Sequence, residues 1–284
     1  MLVIIGIVVV IGCVIGGYVG MGGKLMVLYQ PLELVIIGGS GVGAYIISNP
    51  PAVLSHTGAA FGAAFSGEKY KKEHYVELLC MMYAVFKLAK SKGMLALEAH
   101  IENPSESDLF SNFPLFVGDE EVSTFFCDYM RMMTMGTDNP HQMEDLMNEE
   151  IEIVKHEKMH LAHAVQLMGD SFPALGIVAA VLGVIKTMGS INSPPEILGK
   201  MIGGALVGTF LGILLCYGFV GPMAVIIKTV YEGELKYFDC MKAGMLAYMN
   251  GYAPAIAVEF ARKSLDPHYR PTFTELEEEL ANVG

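Results

Sequence analysis

The 284-residue sequence is short of charge: Asp, Glu, Lys and Arg make up 17% of it, against 53% apolar residues. It is shorter still of positive charge, with 18 Lys and Arg against 30 Asp and Glu and a net charge of −12. An acidic surface repels phosphate backbones, which excludes a nucleic-acid partner. Cysteine is sparse, scattered and odd in number: Cys13, Cys80, Cys127, Cys216 and Cys240, with no CxxC pair. That excludes a disulfide framework and a cysteine zinc site and leaves reduced packing residues. The N-terminus lacks the charged segment of a cleavable signal peptide, and its apolar run is longer than one needs, so we read the first apolar helix as retained.

At about 150 residues per domain, the length alone suggests roughly two soluble domains. The placement of charge excludes that arrangement. Residues 1–48 and 167–227 hold only Lys24, Glu33, Asp170, Lys186, Glu196 and Lys200, and residues 49–166 and 228–284 hold the remaining 42 charges. A spanning helix needs about 20 residues to cross about 30 Å of hydrocarbon, so each apolar block divides in two. The expected spans are 2–22 and 32–48, then 167–188 and 201–227. The second pair is joined by a polar turn carrying Pro194 and Pro195. The predicted fold is an all-α polytopic membrane protein, four transmembrane helices in two hairpins. A large helical domain (49–166) lies between helices 2 and 3, and a helical tail (228–284) follows. Fifteen Lys and Arg lie in those two wet segments. The positive-inside rule therefore places them and both termini in the cytoplasm.

Glycines repeat every fourth residue at Gly12, Gly16 and Gly20, at Gly39 and Gly43, and at Gly204, Gly208 and Gly212. Such faces let helix backbones approach closely, within this chain or between chains.

Two motifs point elsewhere. Gly39-Ser40-Gly41-Val42-Gly43-Ala44 follows an apolar run in the outline of a dinucleotide fingerprint, but the next carboxylate is Glu68 and the expected βαβ context is missing. We read a glycine-rich membrane helix. His156-Glu157-Lys158-Met159-His160 is a literal HExxH, which on a helix could hold zinc with Glu157 as base. This makes a membrane zinc metalloprotease the enzyme alternative. The run is densely charged and lacks an obvious third ligand, His163 lying too close, so we read a solvated helix, no metal and no enzyme.

In the middle segment, Leu78, Leu79, Met82, Val85, Phe86 and Ala89 recur at helical spacing, with Lys87, Lys90 and Lys92 on or beside the opposite face. Met130, Met132, Met133 and Met135 read as helix core fillers. Thr274-Glu275-Leu276-Glu277 has capping-box form before Leu276 and Leu280.

Read together, residues 28–39 (with Gln30, Pro31 and Glu33), 101–104, 169–180 (with Gly169, Asp170 and Pro173), 207–214, 217–222 (ending at Pro222) and 250–263 bring out a family. The sequence resembles the A subunit of the bacterial flagellar motor stator, the MotA/PomA ion-channel family, from residue 1 to about residue 280. The resemblance implies a multi-pass protein of the inner membrane, five copies around two copies of a B subunit. That B subunit carries a single membrane helix, an ion-carrying aspartate and a peptidoglycan-binding domain.

It further implies that Pro173 and Pro222 couple ion flow to torque, with Asp170 and Tyr217 beside them. Lys90 and Glu98 fall where the family engages opposite charges on the rotor's switch ring, although the family's usual Arg is Lys here, which lacks the planar fork. Sodium-driven members place a threonine on the third helix beside one on the fourth. Here Thr209 is present but the third helix offers Ala180, so the resemblance implies H+ rather than Na+, with both residues lining the channel and no cofactor. With only Asp170 near a span, we expect the ion to be carried by the partner. An energising subunit of the ExbB/TolQ type is the alternative within the superfamily, but those have three spans, and four favour the motor.

Overall fold

The computed structural model describes residues 2–283; Met1 and Gly284, the outermost residues of the expected N-terminal hairpin and C-terminal tail, lie outside the described residues. No strand occurs among the described residues, so the glycine fingerprint at 39–44 lies in a helix, as expected. Among the described residues four helices are long and apolar enough to cross a membrane: Leu2–Gly20, Leu25–Ser48, Pro140–Met188 and Pro195–Met249. The chain forms two compact units. One comprises the residues up to Gly67 with His156–Tyr231, and the other Glu68–Lys155 with the residues from Glu232 onward.

Several ends differ from those read by hydropathy. The second span begins at Leu25 rather than 32, broken at Tyr29–Gln30 because Pro31 disfavours helical backbone in the residue before it. The third belongs to a helix that starts at Pro140, and the fourth runs from Pro195 to Met249. Hydropathy marks what is apolar, whereas the Glu- and Lys-rich turns flanking each apolar stretch are equally good helix formers. The two compact units likewise divide at other points than the boundaries at 48, 166 and 227. The helix Pro51–Ser66 sits in the apolar unit, where Val53, Ala60 and Ala64 pack with Tyr45, Val165 and Ile227.

In that first unit, small residues make the packing. A Cβ added to Gly176 would lie 2.8 Å from the Gly208 carbonyl oxygen and 3.1 Å from the Gly212 Cα. Third and fourth spans thus meet backbone to backbone. Gly204, Gly208 and Gly212 serve packing inside the chain. Gly12, Gly16, Gly20, Gly39 and Gly43 meet nothing within 4 Å, and the first span has no buried residue at all. Two π-helical segments interrupt the spans, Val35–Gly39 and Leu214–Val220.

The second unit is built on bulk. Leu78, Leu79, Met82, Val85, Phe86 and Ala89 of the helix Lys72–Lys92 are all buried, as their spacing requires. Phe86 stacks on Tyr248 and Tyr70 on Tyr237, with centroids 4.6 and 4.0 Å apart. Met130 is a core residue, but Met135 ends its helix 79% exposed and fills no core. The final helix, Phe273–Asn282, is capped by Thr272 rather than Thr274. The Thr272 hydroxyl accepts from Glu275 N, and the Glu275 carboxylate accepts from Thr272 N. Cys80, Cys127, Cys216 and Cys240 are free and buried, while Cys13 is free and exposed.

Candidate functional site

The seam between the third and fourth spans brings together most of the residues expected to line an ion path. Thr209 and Ala180 are each half-buried there. The Thr209 Cα lies 3.3 Å from where a Gly176 Cβ would be, and Ala180 N lies 3.3 Å from where a Gly208 Cβ would be. At this point of the seam Thr209 brings a hydroxyl and Ala180 only a methyl group.

One end of the seam holds the two prolines. Pro173 lies inside a continuous helix, so the Gly169 carbonyl loses its regular donor. Gly169 itself packs against the fourth span: a Cβ there would lie 3.2 Å from Val220 Cγ1 and 3.5 Å from Gly221 N, directly before Pro222. Pro222 follows the π segment Leu214–Val220, where the α-helical ladder is already disrupted. Pro173 and Pro222 thus each lie within about one helical turn of the close approach of Gly169 to Gly221. Pro222 is exposed, and Tyr217, within the π segment, is 72% exposed. Asp170 is exposed and accepts a 2.9 Å hydrogen bond from Gln166 Nε2.

Sequence reading names Glu33 as a charge in a matched stretch but gives it no role. Its Oε2 is buried without a hydrogen-bond partner and rests 2.9 Å from where a Gly208 Cβ would be, the same point that approaches Ala179 and Ala180. This corrects the expectation that no carboxylate other than Asp170 lies near a span. Its signal was visible only as a charge in an otherwise apolar stretch; Gly208, which makes room for it, is far away in sequence.

In the second unit, Lys90 is exposed in the last turn of Lys72–Lys92 and Glu98 is exposed in the first turn of Glu98–Glu102. Gly93, at φ 87°, makes the turn between them, a conformation glycine adopts without Cβ strain. Nearby, Arg131 binds Glu102 and Asp128 at 2.6 and 2.5 Å. The 250–263 stretch proves structural. Gly251 turns the chain at φ 86°, Pro254 opens a helix, and Arg262, 5% exposed, binds Glu259 and the Pro271 carbonyl. The hydrogen bond from Arg262 holds the Glu259 carboxyl below its usual range.

The HExxH histidines lie on a continuous helix, exposed, their rings stacked 6.3 Å apart. They line a cavity of about 230 Å³ with His56, yet among the described residues no three His, Cys, Asp or Glu side chains converge to hold a metal.

Residues 4–93 match the family described as motility protein A N-terminal, and residues 118–239 match the MotA/TolQ/ExbB proton channel family. Motility protein A of Salmonella typhimurium is 45% identical over 100% of this chain and 96% of its own length. The Escherichia coli protein of that name is 44% identical over the same shares. The chemotaxis protein LafT of Vibrio parahaemolyticus is 34% identical over 98% of this chain and 97% of its own. The structure of the flagellar MotAB stator complex from Bacillus subtilis superposes with a TM-score of 0.75 at 27% identity, covering 97% of this chain and 98% of that one. A Campylobacter jejuni MotAB chain shares the fold, with a TM-score of 0.77 at 19% identity over 95% and 98%.

Proposed function

The chain belongs to the motility protein A family, and from that premise we propose that it is the channel-forming A subunit of a flagellar motor stator, converting inward ion flow into torque. The observation that carries this reading is full-length similarity to motility proteins, joined to a seam between two spans that holds Thr209, Ala180, Pro173 and Pro222 together. The test is complementation: the gene should restore swimming to a cell lacking its own A subunit, and membrane insertion without rotation would refute the reading.

The finer features follow the same logic. The partner is a B subunit with one membrane helix and an ion-carrying aspartate, and the assembly is five A around two B in the inner membrane. A first span with no buried residue and an open glycine stripe supports helix neighbours from other chains. The mass of the purified complex decides the ratio. The fifteen Lys and Arg of the two wet segments, against three in the apolar blocks, support a cytoplasmic position for those segments and both termini.

Protons are the transported ion, because dehydrated Na+ needs several oxygen ligands and Ala180 supplies none. Rotation that tracks sodium at fixed pH would overturn this. Pro173 and Pro222 supply the place where the third and fourth spans bend when a neighbouring carboxylate changes charge, with Asp170 and Tyr217 at the same end. Pro173→Ala with intact assembly and rotation would sink that role.

Lys90 and Glu98 grip the rotor's switch ring. The buried face of Lys72–Lys92 fixes the helix rotation, which turns Lys90 outward. Lys90→Glu should stop rotation without lowering protein abundance, and a charge reversal on the rotor partner should restore it.

A further inference from the structure

Glu33 is the polar group in the apolar unit whose position has no evident structural return. It sits in the helical turn Pro31–Leu34, directly before the π segment Val35–Gly39, and its Oε2 is buried with no hydrogen-bond partner. The point 2.9 Å from that oxygen where a Gly208 Cβ would lie on the fourth span is also 3.0 Å from Ala179 Cβ and 3.3 Å from Ala180 N on the third. One helical turn along, the Gln30 amide rests over Gly204, 3.1 Å from where a Cβ would be, and donates to Val27 O at 3.3 Å. The missing side chains of Gly204 and Gly208 thus make room for two polar side chains from the second span.

Burying a carboxylate oxygen without a partner is costly, and at membrane depth costlier still. Leucine or glutamine would fill the same space with less penalty. The position is also informative. Asp170 lies ten residues before Ala180 on the third span, about 15 Å along a helix. Glu33 stands at the Ala180 level, at the seam with Thr209.

We propose that Glu33 is a proton-exchanging carboxyl of the ion path, supplied by this chain at the Ala180–Thr209 level of the seam. In each cycle the O–H bond of the Glu33 carboxyl breaks as the proton passes to the next carrier, and the carboxylate is reprotonated from the entry side. No electron moves and no other group is consumed. The inference rests on the proton-channel reading above.

The experiment uses the full chain with its B subunit in cells lacking their own A subunit, and complex reconstituted in vesicles. Wild-type rotation abolished by a protonophore establishes the channel reading; its absence refutes that reading and leaves the Glu33 arm unread in cells but still readable in vesicles. Glu33→Gln should assemble in wild-type amounts, because an amide occupies the same space. Proton flux should fall about tenfold or more, a conservative figure for losing a positioned proton-transfer group. Glu33→Asp should recover part of the flux. Dependence of flux on external pH should flatten in Glu33→Gln, which a purely structural carboxylate would not cause. Wild-type flux and pH profile in Glu33→Gln overturn the proposal. Should Glu33→Gln not assemble, infrared difference spectra of wild-type and Glu33→Asp complexes between acid and alkaline pH decide it. A titrating carboxyl band displaced in Glu33→Asp supports the proposal, and a pH-silent or unshifted band overturns it.

Discussion

The two units solve the same problem, packing helices against one another, with opposite materials. The bulkiest fully buried side chains, among them Tyr75, Tyr237, Phe86, Phe110, Phe116 and Phe126, lie in the second unit. The first buries mainly small residues, such as Ala60, Ala64, Ala164, Ala179 and Ala205, and brings the Gly176, Gly208 and Gly212 backbones together. In water, removing large apolar surfaces stabilises a core by about 25 cal/mol per Å², so large side chains are favoured. In lipid that driving force is missing between helices, and close backbone approach takes over. Polar groups divide the same way. In the second unit Lys69 pairs with Asp119, Arg131 with Glu102 and Arg262 with Glu259. In the first, Glu33 Oε2 is unpartnered. The pairs serve stability, and the unpartnered oxygen of half-buried Glu33 is the one to which the proposal above gives a proton-exchanging role.

The sharpest way to break this contrast is a bulky residue on each glycine stripe. A Cβ at Gly212 would collide with the Phe172 carbonyl oxygen and lie 3.0 Å from the Gly176 Cα, both backbone atoms that cannot swing aside. Gly212→Leu should cost more than the about 3 kcal/mol of ordinary overpacking, so the protein should fail to accumulate in membranes. Gly16→Leu meets nothing within 4 Å and should accumulate normally, any defect appearing only in complex formation. Equal accumulation of the two would mean that the seam does not hold the unit together.

Much of this contrast was legible in the sequence, because charge and residue size are local properties. Six charges in residues 1–48 and 167–227 sufficed to find four spans, and the 3.6-residue spacing from Leu78 to Ala89 sufficed to find a buried face. The helix Pro51–Ser66 lies in the segment read as wet although no Asp, Glu, Lys or Arg occurs between Glu33 and Glu68, which is a legible apolar signal. The Thr272 cap was misplaced by two residues because Thr274 offers the same chemistry one step into the helix. Glu33 was illegible for a deeper reason. Its importance lies in Gly208 and Ala180, and no local pattern announces which glycine a distant carboxylate will face.

In the second unit the largest single loss should come from Arg262. It is buried against Glu259 at 2.5 Å and donates to the Pro271 carbonyl at 2.8 Å, tying a helix to the loop that follows it. Removing one partner of a buried pair leaves the other uncompensated, so Arg262→Ala should cost about 3 kcal/mol and lower the unfolding midpoint. Arg262→Lys should recover little of it, since an ammonium cannot span both acceptors. A midpoint unchanged in Arg262→Ala would place this motif among functional rather than structural features.

Asp119 offers a smaller effect with a defined pH signature. Burial opposes its charge, but Lys69 at 2.7 Å and the Tyr70 hydroxyl at 2.6 Å outweigh that and hold its carboxyl below the usual range. A depressed carboxyl contributes stability that is complete above its unfolded value of about 4 and is lost as pH falls through the lower folded value. Asp119→Asn should therefore cost about 1.5 kcal/mol at pH 7, and wild type and variant should converge below about pH 4. A difference that persisted in acid would mean that the contact is steric rather than ionic.

The least consequential pair is Lys72 with Glu275, 2.8 Å apart with side chains 46% and 49% exposed. Its geometry is as short as that of Lys69 with Asp119, so distance alone would rank the two together. Solvent decides otherwise: an exposed pair gains little Coulomb energy and gives up side-chain freedom to hold its geometry, leaving about 0.5 kcal/mol or less. Lys72→Met should shift the unfolding midpoint by no more than that difference requires, and added salt should erase even this. A Lys72→Met variant as damaged as Asp119→Asn would show that this contact anchors the final helix, and that exposure is a poor guide to which pairs hold the second unit.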